Sequence, residues 1–352
     1  MNKQDLNRGN SNEVSRGLLD LIISLLPGLK LTDKILLLDA FDSTEQLFLQ
    51  SKRDIEIIIN RFLKDFWDIS EINEKAQHID TNCKMRSIKW VSWTDLEYPP
   101  MLREMYDPPA VIYYRGILPN PEKSLLGMVG TRKPSPQAAE QAYKIAGNLS
   151  RVGISVISGL AYGIDSMAHR GNLVGSAPAY AVLGSGIDQI FPSANKGLAK
   201  RILDSGGAII SEYPPGFPPA KWTFPARNRI IAALCRSVLI AEAPKKSGAL
   251  ITAAFALEQG KDLWVASSGI EDGRFDRQGT KNLVNDGAEV IFSAIDILER
   301  WNKESTNYIL SDNNLDDNAE INLKQDQSQL QNQGLNHQQL ISSMADFLKI
   351  EI

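Results

Sequence analysis

A regular alternation of short apolar segments and amphipathic segments constrains the fold of this chain more than any other feature. The apolar segments are LLGMVGT, ISVISG, AYAVLGS, AIISEY, SVLIAEA, DLWVASS and EVIF, all within residues 88–301. Between them lie helical stretches such as SPQAAEQAYKIAGNLSRVG and SGALITAAFALEQG. Continuous apolar strands that alternate with helices form a parallel sheet covered on both faces. We therefore predict an α/β fold with an enlarged, doubly wound parallel sheet over residues 88–301.

A helical module and two further strands precede this alternation. In residues 15–85 the apolar residues recur at three- and four-residue steps, which predicts a small all-helical domain. A Pro-Gly turn in LPGLKLTDKILLL comes before one of these helices, for which Thr32 is the predicted N-cap. Such a turn can present backbone amides to a phosphate, or it can simply connect the helices of a bundle. The segments SIKWVSW and AVIYYRG are predicted strands.

The two ends of the chain differ in composition from its middle. Residues 1–14 are polar and are predicted to be disordered. Residues 302–334 are rich in Asn, Gln, Asp and Ser, so they cannot bury a core and are predicted to form a flexible linker. Residues 335–352 can form one amphipathic helix, which is too short to be a domain of its own.

Composition also excludes several classes of protein. No apolar run reaches the length of about 18 residues that a membrane span needs, and the first residues lack the apolar core of a signal peptide. We therefore expect a cytoplasmic protein. Cys83 and Cys235 lie far apart in the sequence and are predicted to be buried thiols. The chain has three histidines, which excludes a histidine-rich metal centre, and we predict neither a metal nor a cofactor.

Glycine- and serine-rich turns follow several of the predicted parallel strands. Ligands of such sheets bind at the carboxyl ends of the strands, so these turns form the candidate site. A Gly/Ser turn that leads into a helix offers unpaired N–H groups to an anion, although one such turn can equally serve close packing. Several turns on one rim predict an extended ligand with more than one phosphate. The predicted anion-binding residues in these turns are Gly130, Ser158, Gly159, Ser247 and Gly248.

No motif of a nucleotide-dependent enzyme stands out in the sequence. The chain lacks GxxxxGK[ST], and GSGID does not complete GxGxxG, so neither a P-loop nucleotide triphosphatase nor a dinucleotide dehydrogenase is supported. Asp165 and His169 can share one face of a helix. We expect Asp165 to cap that helix and His169 to be a hydrogen-bonded structural residue. No catalytic residue is predicted.

The stretch KWTFPARNRIIAAL, residues 221–234, concentrates cations and aromatic rings in a chain of net charge -4. No acidic residue occurs from Pro214 to Arg236. A cationic groove with aromatic faces, on which bases stack, is typical of sites for single-stranded nucleic acid. Alternatively, Trp222 and Phe224 are core residues. In that case the two arginines at 227 and 229 pair with Glu212 and Glu242, which end adjacent strands.

A series of motifs runs through the doubly wound domain in a fixed order. They are MVGTRKPSP, GISVISGLAYGIDSMAHRG, AYAVLGSGIDQIFPSAN, GAIISEYPPG, KWTFPARNRIIAAL and SVLIAEAPKKSGALITAAFALEQGKDLWV. Over about residues 90–292 this series resembles the DNA-processing protein A family (DprA, also called Smf). The helical module looks like the sterile-alpha-motif-like (SAM-like) domain that precedes the core in that family. The chain departs from the family pattern at Tyr162, often Arg, at Ser268, usually Pro, and in the order of Lys281 and Asn282.

The resemblance implies an extended Rossmann fold that binds single-stranded DNA and catalyses no reaction on it. It also implies protection of incoming strands in natural transformation, help in loading the RecA recombinase, and a homodimer formed through the Rossmann domain. Many family members end in a winged-helix-like domain, for which the polar tail leaves no room. Carried over by position, the family's DNA contacts fall on Arg132, Gly184, Ser185, Gly186, Lys221, Phe224, Arg227, Asn228 and Arg229.

Two other functions stay open at the level of the sequence. One is a nucleotide-processing enzyme similar to the phosphoribohydrolases that cleave nucleoside monophosphates. Their signature PGGxGTxxE is absent, and the corresponding region SGALITAAFALE offers Glu258 as a poor substitute for a catalytic carboxylate. The other is a nucleotide-binding scaffold whose main role is protein contact.

Overall fold

The computed structural model describes residues 17–64, 67–271, 273 and 275–301. The predicted disorder of residues 1–14, the predicted linker of residues 302–334 and the predicted helix of residues 335–352 lie outside these described residues. The chain divides into two compact units, Met1–Ile291 and Phe292–Ile352. Within the described residues, no helix has the length and apolar character that a membrane span requires.

The first part of the larger unit is helical, as predicted. Its helices are α1 (residues 17–25), α2 (Leu31–Ala40), α3 (Thr44–Phe48), α4 (Lys52–Ile59) and α5 (Ile69–Met85). The prediction of Thr32 as an N-cap is wrong, because α2 begins one residue earlier. Its N-cap is Lys30, whose backbone N–H donates to the Asp33 carboxylate at 2.9 Å.

The turn before α2 is closed by side chains of the same module. Arg61 Nη2 donates to the carbonyl oxygen of Gly28 at 2.6 Å, and Trp67 Nε1 donates to that of Pro27 at 3.1 Å. The carboxylate of Asp33 already occupies the helix N-terminus where a phosphate would bind. The geometry therefore favours a plain connection between helices over a phosphate-binding hairpin.

All nine predicted strands are present. Within the described residues they form one sheet in the order β1-β2-β6-β5-β4-β3-β7-β8-β9. The pairs β1–β2 and β2–β6 are antiparallel, and every other pair is parallel. The strands are β1 (Lys89–Ser92), β2 (Val111–Gly116), β3 (Leu125–Val129), β4 (Ser155–Ser158), β5 (Tyr180–Leu183), β6 (Ala208–Ser211), β7 (Ser237–Ile240), β8 (Asp262–Ala266) and β9 (Glu289–Ile291).

The order of the strands reverses between β3 and β7. From β3 the chain adds β4, β5 and β6 on one side, then returns to place β7 on the other side of β3. The doubly wound, Rossmann-like prediction is therefore confirmed, and the reversal marks the ligand-binding edge of such sheets. The helices of this region are α6 (Pro100–Arg103), α7 (Pro136–Arg151), α8 (Ile164–Asn172), α9 (Lys196–Asp204), α10 (Thr223–Leu234), α11 (Gly248–Glu258) and α12 (Gln278–Asn285).

The helical module shares a hydrophobic core with the sheet. One buried cluster joins Leu37 and Leu47 of the module to Tyr113 on β2, Leu183 on β5 and Ile209 on β6. Side chains of α10 and α11 pack in a second cluster with the opposite face of the same strands. The module is thus held against the β2–β6–β5 part of the sheet, beside the strands whose carboxyl ends carry the candidate site.

The described part of the smaller unit contains one short helix, α13 (Ala294–Arg300). Ser293 is its N-cap residue, and the Asp296 carboxylate accepts the backbone N–H of Ser293 at 2.9 Å. This reciprocal cap sets the start of the helix.

Candidate nucleic-acid interface

The crevice at the reversal of strand order is filled by the protein's own charged groups. Glu242, which follows β7, is buried and accepts hydrogen bonds from Ser135 N at 3.0 Å and Ser135 Oγ at 2.6 Å. Its other partner is the buried Arg277, whose Nε lies 3.0 Å from the carboxylate. Ser135 caps α7, so a carboxylate occupies the helix N-terminus where a Rossmann-type site would hold a phosphate. Of the alternatives left open, the pairing of Glu242 with Arg227 or Arg229 is not found, because Glu242 pairs with Arg277.

The turns after β3 and β4 are engaged in packing. The residue after Gly130, Thr131, donates its N–H to the carbonyl of Glu242 at 2.7 Å, which ties the loop after β3 to that after β7. Ser158 is fully buried and donates its hydroxyl to Met128 O at 2.6 Å. A Cβ atom at Gly159 would lie 1.9 Å from Arg227 Nη2, so glycine is required there to admit the guanidinium.

The turn after β5 supports α10 rather than facing solvent. Gly184, Ser185 and Gly186 are all buried. A Cβ atom at Gly184 would lie 2.9 Å from the ring of Phe224, and Ser185 Oγ donates to Gln189 O at 2.6 Å. The N–H of Gly186 is already donated to Phe217 O at 2.8 Å. The structure therefore gives these residues a packing role beneath the rim.

The stretch of residues 221–234 contains the start of a helix. Residues 212–222 form the loop, and α10 begins at Thr223, whose hydroxyl donates to Gly184 O and Ala220 O. Arg227 and Arg229 consequently lie on the helix and not on the loop. The sequence carries no capping signal at this boundary, because Trp222, the N-cap residue, is not of the usual capping type.

Arg227 lies inside the protein. Its residue surface is 5% exposed, and its guanidinium donates to the carbonyls of Gly159 and Val182 and to Asn228 Oδ1. Its Nη2 lies 3.9 Å from the Asp165 carboxylate. Burial lowers the pKa of Arg227 to about 10, although Asp165 favours the charged form, so the side chain stays charged at neutral pH. The structure gives Arg227 the role of a tie between loops.

The neighbours of Arg227 are also engaged within the protein. Asn228 Nδ2 donates to Gly248 O at 3.2 Å. Arg229 grips Glu212 with two hydrogen bonds of 2.9 and 2.6 Å and donates Nε to Asp107 O at 3.1 Å. Burial acts to lower the pKa of Arg229, but Glu212, Asp107 and Tyr213 together outweigh burial and the pKa is raised. The sequence left open whether Arg229 contacts a nucleic acid or pairs with a glutamate, and in the structure it pairs with Glu212.

Lys221 and Arg132 are the exposed cations among the residues carried over from the family. Arg132 Cζ lies 5.8 Å from the centroid of the Phe224 ring, within the range of a cation–π contact. Phe191, in the loop after β5, meets Phe224 at a centroid distance of 5.4 Å and is 45% exposed. The segments after three strands, β3, β5 and β6, thus bring a cation and a pair of aromatic rings to one place on the rim.

A second aromatic group lies next to the first along the chain, and only its Trp222 was singled out from the sequence. Tyr213 and Phe217 stack with a centroid distance of 4.7 Å, and Trp222 meets both rings nearly at right angles. Trp222 is 61% exposed, so the expectation of a core residue does not hold for it. The spacing of Tyr, Phe and Trp in EYPPGFPPAKW was the available signal.

The turn after β7 differs from the other Gly/Ser turns because it is open. Gly248 is exposed, and nothing lies within 4 Å of the position of its Cβ atom. Ser247 caps α11 by accepting the N–H of Ala249 at 3.2 Å. Lys245 and Lys246 precede the cap and are exposed. This helix start can add positive potential to the rim.

Asp165 and His169 do not form an acid–base pair on the surface. The Asp165 carboxylate accepts the N–H groups of Gly159 and Ala161 at 3.2 and 3.3 Å, while the N-cap position of α8 is Gly163, so the capping prediction is wrong. His169 is fully buried, and neither ring nitrogen has a hydrogen-bond partner among the described residues. Burial and then Arg227 lower the pKa of His169 to about 3, so it is neutral.

No group of acidic, histidine and cysteine side chains within the described residues could hold a metal ion. The fold and the rim together define a doubly wound α/β protein with a filled nucleotide crevice and an exposed cationic and aromatic edge. The profile of the family described as DNA recombination-mediator protein A matches residues 89–302. The chain therefore belongs to this family, which is the DprA/Smf family that its motifs resemble.

Relatives and solved structures agree with this assignment. The DNA processing protein DprA of Streptococcus pneumoniae is 41% identical over 248 residues, which cover 68% of this chain and 86% of the relative. An X-ray structure of DprA from S. pneumoniae has a TM-score of 0.62 at 32% identity, covering 80% of this chain and 95% of that one. A structure of DNA processing protein A from Helicobacter pylori, solved to examine its single-stranded DNA binding mode, has a TM-score of 0.52 at 27% identity. The match covers 64% of this chain and 97% of that one.

Proposed function

We propose that this protein binds single-stranded DNA through the rim around Phe224 and acts on it by binding alone. The observation that carries the proposal is the contact of exposed Arg132 with the Phe224 ring, which also meets Phe191, at the carboxyl ends of the strands. Lys221 is exposed three residues before Phe224. The related protein from H. pylori, which binds single-stranded DNA, supports it.

The chemistry of the rim suits a strand without a fixed sequence. Aromatic rings stack on any base, at about 1–3 kcal/mol per base, and cations follow the phosphates. Contacts of this kind position a backbone but carry little sequence information. We therefore expect weak sequence preference and affinity that falls as salt displaces the cation–phosphate contacts. A duplex keeps its bases stacked inside, so it offers no base face to the rim.

The interior of the site supports a protein without catalysis. The Glu242–Arg277 pair fills the place where a Rossmann-type enzyme would hold a substrate phosphate. Glu258, the carboxylate considered for a phosphoribohydrolase-like reaction, is the last residue of α11. At about 1.5 Å per residue, it lies roughly 15 Å along the helix from the rim. Within the described residues, the nucleotide-processing alternative thus has neither a free phosphate site at the reversal of strand order nor a carboxylate at the rim in Glu258.

The proposed cellular role is to protect incoming strands in natural transformation and to assist RecA loading. This role rests on membership of the family, and it places the protein in the cytoplasm, where a recombinase and single-stranded DNA meet. We also propose a homodimer. Its support in the structure is α11, whose Ile251 and Leu257 side chains are exposed on a helix made largely of apolar residues.

A titration with two probes at two salt concentrations tests the proposal. Labelled oligo-dT should bind with an affinity that falls on raising the salt, and a duplex of equal length should bind much more weakly. Equal binding of both probes, or binding of neither, would contradict single-strand recognition. Incubation with nucleoside monophosphates tests the enzyme alternative, since release of free base would favour it.

A further inference from the structure

We propose that Trp222 is a second base-stacking platform for single-stranded DNA, held in place by Tyr213, Phe217 and Asp188. This inference rests on the proposed function, because it adds a subsite to the same rim. Its ligand is a nucleobase of the bound strand next to the one that Phe224 receives.

Local structure does not account for a tryptophan at this position. Trp222 is the N-cap residue of α10, a place that favours Ser, Thr, Asp or Asn, and its side chain makes no capping hydrogen bond. The indole is 61% exposed although tryptophan is among the side chains that gain most from burial. A large ring that serves neither the helix start nor the core is available to a ligand.

The orientation of the indole is fixed by the aromatic pair beneath it. Trp222 meets Tyr213 at 5.9 Å with an interplanar angle of 84°, and Phe217 at 6.3 Å with an angle of 87°. Edge-to-face contacts of this kind are favourable and directional. Two of them on one indole hold its plane in a set direction while most of its surface stays open to solvent.

The aromatic pair is in turn tied to the turn after β5. Gly186 N donates to Phe217 O at 2.8 Å, and Ile187 N donates to Tyr213 O at 3.3 Å. Asp188 accepts the N–H of Gly216 at 2.9 Å and forms an ion pair with Arg86, the C-cap residue of α5. The platform is therefore braced by the sheet and by the helical module, and little ordering is left for the moment of binding.

The charges beside the indole along the chain suit a strand that carries a phosphate on each nucleotide, and the acidic groups near the aromatic pair, Asp188 and Glu212, are paired with Arg86 and Arg229. Lys221 is adjacent in sequence and exposed, and no acidic residue occurs from Pro214 to Arg236. Phe224 follows Trp222 by two residues and carries Arg132 over its ring. Aromatic faces that alternate with cations are what a groove needs to follow consecutive nucleotides.

Binding of oligo-dT by Trp222 variants tests this platform. Trp222→Ala should weaken binding about 5- to 100-fold, the range expected for loss of one stacked base. Trp222→Phe, which keeps an aromatic face, should stay within about threefold of the unchanged protein. Phe62→Ala, at a 90% exposed ring of the helical module, is the matched control and should leave affinity unchanged.

An abasic oligomer of the same length separates stacking from a general effect on the loop. If Trp222 stacks on a base, Trp222→Ala loses affinity for oligo-dT and not for the abasic strand. Equal loss on both strands, or no loss on either, would overturn the platform. If the unchanged protein binds oligo-dT and Phe224→Ala weakens it while Trp222→Ala does not, the platform fails and the proposed function stands. If the unchanged protein does not bind oligo-dT, both fail.

Discussion

The two ends of residues 221–229 contrast more sharply than any other pair of regions in the site. At the first end, Lys221 and Trp222 are exposed just before α10 begins. At the second end, Arg227 is buried against backbone carbonyls and Arg229 grips Glu212. One short run of cationic and aromatic residues thus contains both solvent-exposed and structural groups.

The start of a helix separates these two roles. Residues before Thr223 belong to the loop at the rim. In the second turn of α10, the Arg227 side chain points into the protein and contacts the carbonyls of Gly159, after β4, and Val182, on β5. A cation that enters the interior must find partners for its charge and its donors. Arg227 finds them in Asp165 and two carbonyls, which makes it costly to replace for a reason unrelated to DNA.

The largest expected effect of a substitution is a loss of stability at the interior end. Arg227→Ala should lower the free energy of unfolding by about 3–5 kcal/mol, the cost of breaking a buried ion pair from one side. Urea unfolding measures it. Lys123→Ala, at an exposed cation before β3, is the control and should change stability by less than about 0.5 kcal/mol. If Arg227→Ala lowers the free energy of unfolding by less than about 1 kcal/mol, the structural role of Arg227 as a tie between loops is contradicted.

Substitutions at the exposed end should mainly weaken DNA binding and should affect stability less. Lys221→Ala combined with Phe224→Ala should weaken oligo-dT binding about 10- to 100-fold, because one stacking face and one cation are lost. Its unfolding free energy should fall by less than that of Arg227→Ala, since Lys221 is exposed and Phe224 is half-buried. Fluorescence anisotropy and urea unfolding on the same preparations make the comparison. Unchanged affinity would remove this end from the site.

The sequence predicted the frame of the molecule better than the roles of its side chains. The seven strands β3–β9 follow from apolar runs, because strands inside a sheet covered on both faces are mostly apolar. The placement of Arg227 could not be predicted in this way, since it depends on where α10 begins and on the space that Gly159 leaves open. Phe191 could not be predicted because its position depends on a ring of the loop after β5 meeting the Phe224 ring on α10. The exposure of Trp222 could not be predicted because it depends on how Tyr213 and Phe217 pack beside it.

The pH dependence of stability gives a smaller test of the interior end. Because the pKa of His169 is lowered to about 3, the folded protein excludes a proton that the unfolded chain takes up below about pH 6.5. The free energy of unfolding should therefore decrease as the pH is lowered below about 6.5. This group contributes at most about 1.4 kcal/mol per pH unit to the decrease. Urea unfolding at pH 7 and pH 5 measures the fall. In His169→Asn the free energy of unfolding should fall less between pH 7 and pH 5, because the contribution of this histidine is lost. A fall equal to that of the unchanged protein would contradict the buried neutral histidine.

The smallest predicted effect concerns salt. Each phosphate contact made by a cation contributes about 0.7 to the slope of log affinity against log salt for a single strand. Lys221→Ala should reduce that slope by about this amount. Lys123→Ala, before the amino end of β3 and away from the carboxyl ends of the strands, should leave the slope unchanged. Equal slopes for both variants would show that the charge of Lys221 does not reach the strand.

Photo-crosslinking tests the central claim, that a single strand lies on the aromatic edge of the rim, most directly. An oligomer that carries 5-iodouracil should crosslink to Phe224, Trp222 or Phe191 on irradiation, with the site read by mass spectrometry of the digested protein. Crosslinks confined to Phe62 or to other exposed rings of the helical module would contradict the account. So would efficient binding of the oligomer without a crosslink to any of the three rim residues.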